Sequence, residues 1–271
     1  MKRWFLLLYG VFCYATFLAS FLYLAAWLGN FVVPRSIDAA PTVPLGIALV
    51  IDTLLIGLFA VQHSVMARPT FKRTWKRIVG EPGERSTYVL CTSVTLLILF
   101  LLWQPLGGVI WNIQNPAGVV AMRVLFAIGW LMVVASTFFL NHFDLFGLRQ
   151  VWLRFRGRPY THLPFRTPGP YRFVRHPLYV GWMIAFWATP VMTASHLLFA
   201  AGMTAYMLAA IPLEERNLME HLGHPYREYR DRVGKLLPRW PRATGAHRQL
   251  AQSRGWRSQP AGRSRAEPGN E

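Results

Sequence analysis

The residues best suited to chemistry lie in one stretch, RTPGPYRFVRHPLYVG, which covers residues 166–181. It opens with turn residues, and Pro177 fits the first position of a following helix, where a missing N–H costs nothing. Arg175 and His176 then lie at the amino terminus of that helix. Free N–H groups, the helix dipole and a guanidinium would converge there, which predicts a carboxylate-binding site. A basic membrane anchor without a ligand is the alternative.

A second polar stretch, EERNLMEHLGHPYREYRDRV, covers residues 214–233 and follows an apolar segment directly. Glu214 and Glu215 therefore stand at a membrane edge, where a carboxylate is costly unless it is paired. Arg175, or the ammonium group of a ligand, is the natural partner. An amphipathic helix with ordinary surface ion pairs is the alternative.

Two further polar clusters lie at the ends of apolar segments: QHSVMAR, residues 62–68, and NHFDLFGLRQ, residues 141–150. A histidine at the end of a membrane span is more often an interfacial hydrogen-bonding group than a catalyst. The prediction of a site therefore rests on all four polar clusters together, because they lie at one membrane depth. No single cluster would be sufficient evidence.

Several kinds of site are excluded by what the sequence lacks. It contains no H-E-x-x-H motif, no Walker loop and no G-x-G-x-x-G motif, which argues against a soluble Rossmann-type domain. Its two cysteines, Cys13 and Cys91, lie in apolar runs and provide no zinc-binding spacing, so we expect no metal site.

The elements that must position these residues are membrane helices. The chain of 271 residues is 53% hydrophobic yet carries a formal charge of +17, as expected for apolar segments separated by basic loops, and the charge needs no nucleic-acid partner. A span needs about 20 apolar residues. Four segments qualify: 4–29, 43–67, 86–103 and 119–140.

The last apolar stretch, residues 178–212, is too long for one span and too short for two full spans with a turn. We therefore expect a tight helical hairpin whose turn is marked by Pro190 and by a polar cluster: Thr193, Ser195 and His196. Further along, Gly223 can end one helix and Pro225 can begin the next. The predicted fold class is all-α, a polytopic transmembrane bundle of four spans plus a carboxyl-terminal hairpin.

Orientation follows from the basic residues. Residues 68–85 contain six Lys or Arg and residues 149–175 contain seven, whereas the opposite loops are nearly neutral. Both termini and both basic segments are therefore predicted to face the cytoplasm, as is the pocket. The predicted regions are the spans with their short loops (1–140), the functional core (141–233) and a basic tail (234–271), whose composition predicts disorder.

The chemistry-bearing stretches also resemble a known family. GPYRFVRHPLYVG, followed about 30 residues later by EERNLMEHLGHPYREYRDRV, is similar to the carboxyl-terminal signature of the isoprenylcysteine carboxyl methyltransferase-like family, which phospholipid methyltransferases share. The likeness covers residues 163–233. QHSVMAR and NHFDLFGLRQVW extend it and resemble the bacterial branch that methylates methanethiol, which implies an integral protein of the bacterial inner membrane.

The resemblance implies S-adenosyl-L-methionine as the methyl donor, held by a set of residues around the two motifs: Leu163, Pro164, Phe165, Arg166, Tyr171, His176, Pro177, Leu178, Tyr179 and Glu214. The charges fit this donor. The helix amino terminus suits its carboxylate and Glu214 its ammonium, while Tyr171 or Tyr179 could face the sulfonium or stack on the adenine.

One departure concerns the acceptor. Prenylcysteine enzymes are expected to carry an arginine one turn before the glutamate pair, and this chain has Ala210 there. A small neutral thiol therefore fits better, with methanethiol converted to dimethyl sulfide, or hydrogen sulfide to methanethiol. A methyltransferase acting on a phospholipid amine or isoprenylcysteine is an alternative, as is an NADPH-dependent sterol-type reductase on a related fold.

The implied reaction is an in-line displacement on sulfur, in which positioning supplies most of the catalysis. The acceptor must be a thiolate, and His142 and Glu214 are the candidate bases. Asn141 is expected to orient the substrate together with His142, and Arg175 completes the predicted catalytic set. An apolar thiol could arrive through the lipid bilayer.

Overall fold

The computed structural model describes residues 3–239, and that part of the chain is a bundle of α-helices with one very small sheet. In chain order the elements are α1 (Arg3–Gly29), α2 (Leu45–Ala67), α3 (Pro69–Val79), α4 (Glu81–Leu102), β1 (Val109–Asn112), α5 (Pro116–Leu140), α6 (His142–Leu145), α7 (Leu148–Phe155), a 3₁₀ helix (Gly169–Arg172), α8 (Pro177–Trp187), β2 (Val191–Thr193), α9 (Ala194–Leu222) and α10 (His224–Arg232).

Five of these helices are long and apolar enough to cross a membrane: α1, α2, α4, α5 and α9. Large apolar side chains such as Val11, Leu54 and Leu131 remain exposed along them, which suits contact with lipid chains and not with water. The all-α membrane bundle predicted from the sequence is thus confirmed. The core is built from buried aromatic residues, among them Trp27, which packs edge-on against Trp103.

The segment between the second and third spans is more ordered than the sequence predicted. Residues 68–85 were predicted as a basic loop, but α3 occupies most of them and α4 begins at Glu81, five residues before the predicted start of that span. Helix α3 is amphipathic and has no buried residues. Its basic side chains interrupt the apolar residues, so the segment contains no apolar run that would indicate a helix.

The predicted carboxyl-terminal hairpin is present but uneven. Its first arm, α8, has 11 residues and begins at Pro177 as predicted, while its second arm, α9, has 29. Gly223 caps α9 with a φ of +64°, and Pro225 stands in the first turn of α10, as the turn residues predicted.

The polar residues at the hairpin turn hold one end of the bundle together, which we name the neutral end. Strand β1, after α4, pairs antiparallel with β2, between α8 and α9. The Asp38 carboxylate, between α1 and α2, accepts hydrogen bonds from Thr193 and, at 2.6 Å, from Asn30, and it faces His196. The loops after α1, α4 and α8 therefore meet here. The opposite end, with the basic connections, is the basic end.

Helices α5 and α8 cross with their backbones in contact. A Cβ atom added to Gly129 would lie 2.6 Å from the Ala185 backbone nitrogen, and one added to Gly181 would lie 2.9 Å from the Val133 backbone nitrogen. Small residues that allow such close approach are typical of membrane helix pairs. The contact fixes the start of α8 beside the end of α5 at the basic end.

Gly181→Leu should therefore destabilise the bundle strongly, because the obstructing atoms are backbone atoms that cannot rotate away. Overpacking costs about 1–3 kcal/mol and more where the backbone must shift. We expect a clearly lower thermal unfolding temperature for the variant in detergent micelles. Gly57→Leu on α2 is the control, since nothing lies within 4 Å of an added Cβ there. Equal unfolding temperatures for the two variants would contradict the close crossing.

Candidate active site

A cavity of about 910 Å³ opens at the basic end, within the size range of small-molecule sites. Its walls come from the end of α5, α6, the segment before the 3₁₀ helix, the start of α8 and the last turns of α9. It is lined by nearly all of the residues predicted for the site: Asn141, His142, Leu163, Pro164, Phe165, Arg166, Tyr171, Arg175, His176, Leu178, Tyr179 and Glu214. Pro177 is buried behind them and does not line the cavity.

The structure shows which of the two adjacent glutamates pairs with Arg175. The Arg175 guanidinium contacts the Glu215 carboxylate through Nε and a terminal nitrogen, both at 2.8 Å, and Glu214 is not its partner. The other terminal nitrogen donates to the carbonyl oxygens of Arg230, at 2.9 Å, and Val233. Successive residues of a helix point about 100° apart, so only one of two adjacent glutamates can face Arg175. Arg175 is thus buried and engaged within the protein.

The amino terminus of α8 offers fewer donors than the sequence suggested. The Arg175 N–H donates to the carbonyl of Gly234 at 2.8 Å, and the His176 N–H donates to that of Lys235 at 3.1 Å. Pro177 has no N–H, so the free backbone donors in the first turn of α8 are reduced to the N–H groups of Leu178 and Tyr179. Gly234 and Lys235, at the start of the predicted basic tail, thus contact the site, and residues 240–271 of that tail lie outside the described residues.

Glu214 points into the cavity and keeps 46% of its side chain exposed. Its carboxylate accepts a hydrogen bond from the Tyr179 hydroxyl at 2.8 Å and lies 3.8 Å from Nδ1 of His176. Within residues 3–239 no lysine or arginine comes within ion-pair distance of it. Glu214 is therefore positioned to bind a cation that enters the cavity.

His142 has a partner at each ring nitrogen. Nδ1 lies 2.8 Å from the Thr137 hydroxyl and Nε2 lies 2.8 Å from the Tyr14 hydroxyl. The Thr137 hydroxyl donates its hydrogen to the carbonyl of Val134, so it must accept from Nδ1–H. Nε2 is then the unprotonated nitrogen and accepts from Tyr14. Burial lowers the pKa of His142 below its ordinary value, which favours this neutral form.

Asn141 and Asp144 fix the wall beside His142. Asn141 has a positive φ of +82°, and its side-chain oxygen accepts from the Asp144 N–H, so it caps α6. The Asp144 carboxylate accepts from Arg149 at 2.8 Å and from the Tyr160 hydroxyl at 3.3 Å. Arg149 also donates to the carbonyl of Thr161 at 2.9 Å. These contacts attach the segment before the 3₁₀ helix to the bundle.

The floor of the cavity is aromatic. Phe165 meets the rings of Tyr226 and Tyr229 edge-on, with ring centres 5.9 and 5.6 Å apart. The Tyr229 hydroxyl donates to the carbonyl of Tyr171 at 2.6 Å. Burial raises the pKa of Tyr171, so its phenol stays neutral. Such faces can stack on a planar base or face a cation.

Sequence reasoning missed two residues near this site. Tyr14 and Arg85 belong to α1 and α4, far from the motifs along the chain. In the sequence, Arg85 contributes only to the predicted orientation, because the predicted span begins after it. Tyr14 is one of three tyrosines in the apolar helix α1, and no local pattern distinguishes it from the other two.

Comparisons with known proteins show the family of the chain. A model of phospholipid methyltransferases matches residues 117–224. The chain is 53% identical over 241 residues to the methanethiol S-methyltransferase of Mycobacterium tuberculosis, covering 89% of this chain and 98% of the relative. It is 51% identical over 238 residues to a protein of the same name from Crocosphaera subtropica, covering 88% and 93%. No solved structure matches.

The fold and the comparisons together define a membrane methyltransferase, as the motifs predicted. More narrowly, the chain belongs to the methanethiol S-methyltransferase family.

Proposed function

We propose that this protein transfers a methyl group from S-adenosylmethionine to methanethiol, producing dimethyl sulfide and S-adenosylhomocysteine. One observation carries the donor part of the proposal: Glu214, a carboxylate with no lysine or arginine partner in residues 3–239, faces a cavity with an aromatic floor. Those groups fit the donor, whose ammonium and sulfonium are cationic and whose adenine is planar. The donor supplies an electrophilic methyl carbon.

The acceptor is proposed from the relatives' printed names and from the cavity wall. Phe138 and Phe143 line the cavity and are also exposed at the surface of the bundle, 57% and 51% respectively. An apolar thiol dissolved in the bilayer can therefore approach His142 without crossing a charged surface. Ala210 adds no cation on α9, which suits an acceptor without a carboxylate.

The proposed chemistry uses few protein groups. His142 takes the thiol proton at Nε2, directly or through the Tyr14 hydroxyl that already donates to that nitrogen. The sulfur lone pair then forms the new bond to the methyl carbon, and the electrons of the broken bond return to the donor sulfur. Asn141 shapes the turn that presents His142. Arg175 acts as a positioning residue through Glu215.

We propose that the basic end faces the cytoplasm of a bacterial inner membrane. Lys and Arg are concentrated in the connections at that end, as the positive-inside rule describes. A water-soluble donor would then reach the cavity from the compartment that synthesises it.

The direct test is to supply purified protein with methanethiol and methyl-labelled S-adenosylmethionine and to analyse the headspace gas. Label in dimethyl sulfide is the expected result. Label in the lipid fraction would refute the thiol as acceptor. Replacing methanethiol with hydrogen sulfide tests whether the protein also methylates hydrogen sulfide to methanethiol. Failure of the donor to bind would refute the proposal as a whole.

Glu214→Gln should weaken donor binding about tenfold, measured as the dissociation constant of S-adenosylhomocysteine. A lost hydrogen bond to a charged group costs about 1.5–3 kcal/mol, and solvent exposure of Glu214 keeps the effect near the lower limit. Glu220→Gln is the matched control, because Glu220 lies on the same helix but pairs with Arg216 outside the cavity. Equal affinities of the two variants would reject the role of Glu214.

A further inference from the structure

The charges that line the cavity are mostly neutralised within the protein. Arg175 is paired with Glu215, and Asp144 is held by Arg149 and Tyr160. Three charged side chains of the lining have no oppositely charged Asp, Glu, Lys or Arg partner within ion-pair distance in residues 3–239: Arg85, Arg166 and Glu214. The cavity therefore presents one anionic group and two cationic groups to a ligand.

Arg85 differs from Arg166 in how it is held. Arg166 is exposed on an irregular segment, whereas Arg85 is half-buried on the second turn of α4. The backbone beneath Arg85 is fixed, because a Cβ added to Gly147 would lie 2.7 Å from the Ser86 nitrogen, and the Ser86 hydroxyl donates to the carbonyl of Gly147 at 3.4 Å. A half-buried side chain on a fixed backbone loses less conformational entropy on binding than an exposed side chain on an irregular segment.

Arg85, on α4, and Glu214, on α9, line the same cavity. The amino-terminal end of α4 adds the positive end of a helix dipole on the Arg85 side. A ligand that carries a carboxylate and an ammonium on one carbon would find both counter-charges here.

We propose that Arg85 is the carboxylate-binding residue for the methionine part of the donor, with Glu214 holding the adjacent ammonium. This inference rests on the proposed function and places the carboxylate on α4 instead of at the start of α8. A planar guanidinium binds a carboxylate through two parallel hydrogen bonds, which an ammonium cannot reproduce. The amino acid end of the donor then bridges α4 and α9.

The test compares two ligands that share the adenosine and the thioether. S-adenosylhomocysteine carries the amino acid group, and 5′-methylthioadenosine lacks it. Arg85→Gln should weaken binding of S-adenosylhomocysteine about ten- to a hundredfold in titration calorimetry, while binding of 5′-methylthioadenosine stays unchanged. Arg85→Lys, which keeps the charge, should fall between wild type and Arg85→Gln.

Controls separate this inference from its alternatives. Arg77→Gln, on α3 and outside the cavity, should bind both ligands as wild type does, and the unliganded unfolding temperatures should match. The inference is overturned if Arg85→Gln binds S-adenosylhomocysteine normally, if it loses both ligands equally, or if Arg166→Gln alone shows the selective loss. If the wild-type protein binds neither ligand, the proposed function is refuted. If only the predicted effect of Arg85→Gln is absent, the inference about Arg85 is refuted and the proposed function is not.

Discussion

Glu215→Gln is expected to leave little folded protein, although the adjacent Glu214→Gln should fold normally. Glu215 is buried and neutralises Arg175, which has no other carboxylate partner in the described chain. Breaking a buried ion pair by removing one member costs about 3–5 kcal/mol, a large share of the roughly 5–15 kcal/mol that stabilises a typical protein. Thermal unfolding and the yield of monodisperse protein measure the difference.

The double variant Arg175→Met, Glu215→Leu separates charge from shape. Removing both charges eliminates the unpaired guanidinium, so it should recover part of the stability that Glu215→Gln loses. The recovery should be partial, because the amide oxygen of Glu215→Gln can still accept from His176, which contacts Glu215 at 3.0 Å, whereas Glu215→Leu removes that acceptor. Equal stability of Glu214→Gln and Glu215→Gln would refute the assignment of the pair.

The spans could be predicted because a bilayer leaves few choices. A membrane-spanning helix requires about 20 apolar residues. Apolar runs as long as residues 4–29 and 119–140 are therefore explained by membrane spans. The hairpin followed from length, since residues 178–212 fit neither one span nor two. Helix α3 was missed because its basic side chains break the apolar run that the search depends on.

The sequence predicted part of the cavity lining but not the ion pairs within it. Residues from three of the four polar clusters line the cavity, whereas none of residues 62–68 does. Which of Glu214 and Glu215 faces Arg175 depends on the rotation of α9 by 100°, which sequence spacing does not determine. The strand pair β1–β2 depends on contacts between segments about 80 residues apart and has no local signature.

The same limit explains why Tyr14 and Arg85 were missed. Each reaches the site from a helix that carries no recognisable motif, and only packing brings them there. Tyr14 lies 128 positions from His142 along the chain yet within 2.8 Å of its Nε2. Sequence motifs identify residues that are close together along the chain. The role of His142 as a proton acceptor depends instead on residues that are close to it in space.

His142→Ala is expected to lower the turnover number with methanethiol at pH 7 by about a hundredfold or more, the usual contribution of a general base. A simple thiol titrates no lower than about 8.5, so it is mostly protonated at that pH. Burial lowers the pKa of His142, so the neutral base persists until the pH falls below about 6.5. Wild-type activity should therefore decline only in more acidic solution.

The pH profile distinguishes a base from a residue that only shapes the cavity. Without His142 the thiolate must come from solution, so the rate of the variant should rise about tenfold per pH unit until the thiol itself ionises. The ratio of wild type to variant should therefore shrink steadily as the pH rises from 7 toward the pKa of the thiol. A constant ratio at every pH would assign His142 a positioning role. His221→Ala, at the exposed end of α9, controls for loss of a histidine, and Tyr14→Phe shows whether the proton passes through the phenol.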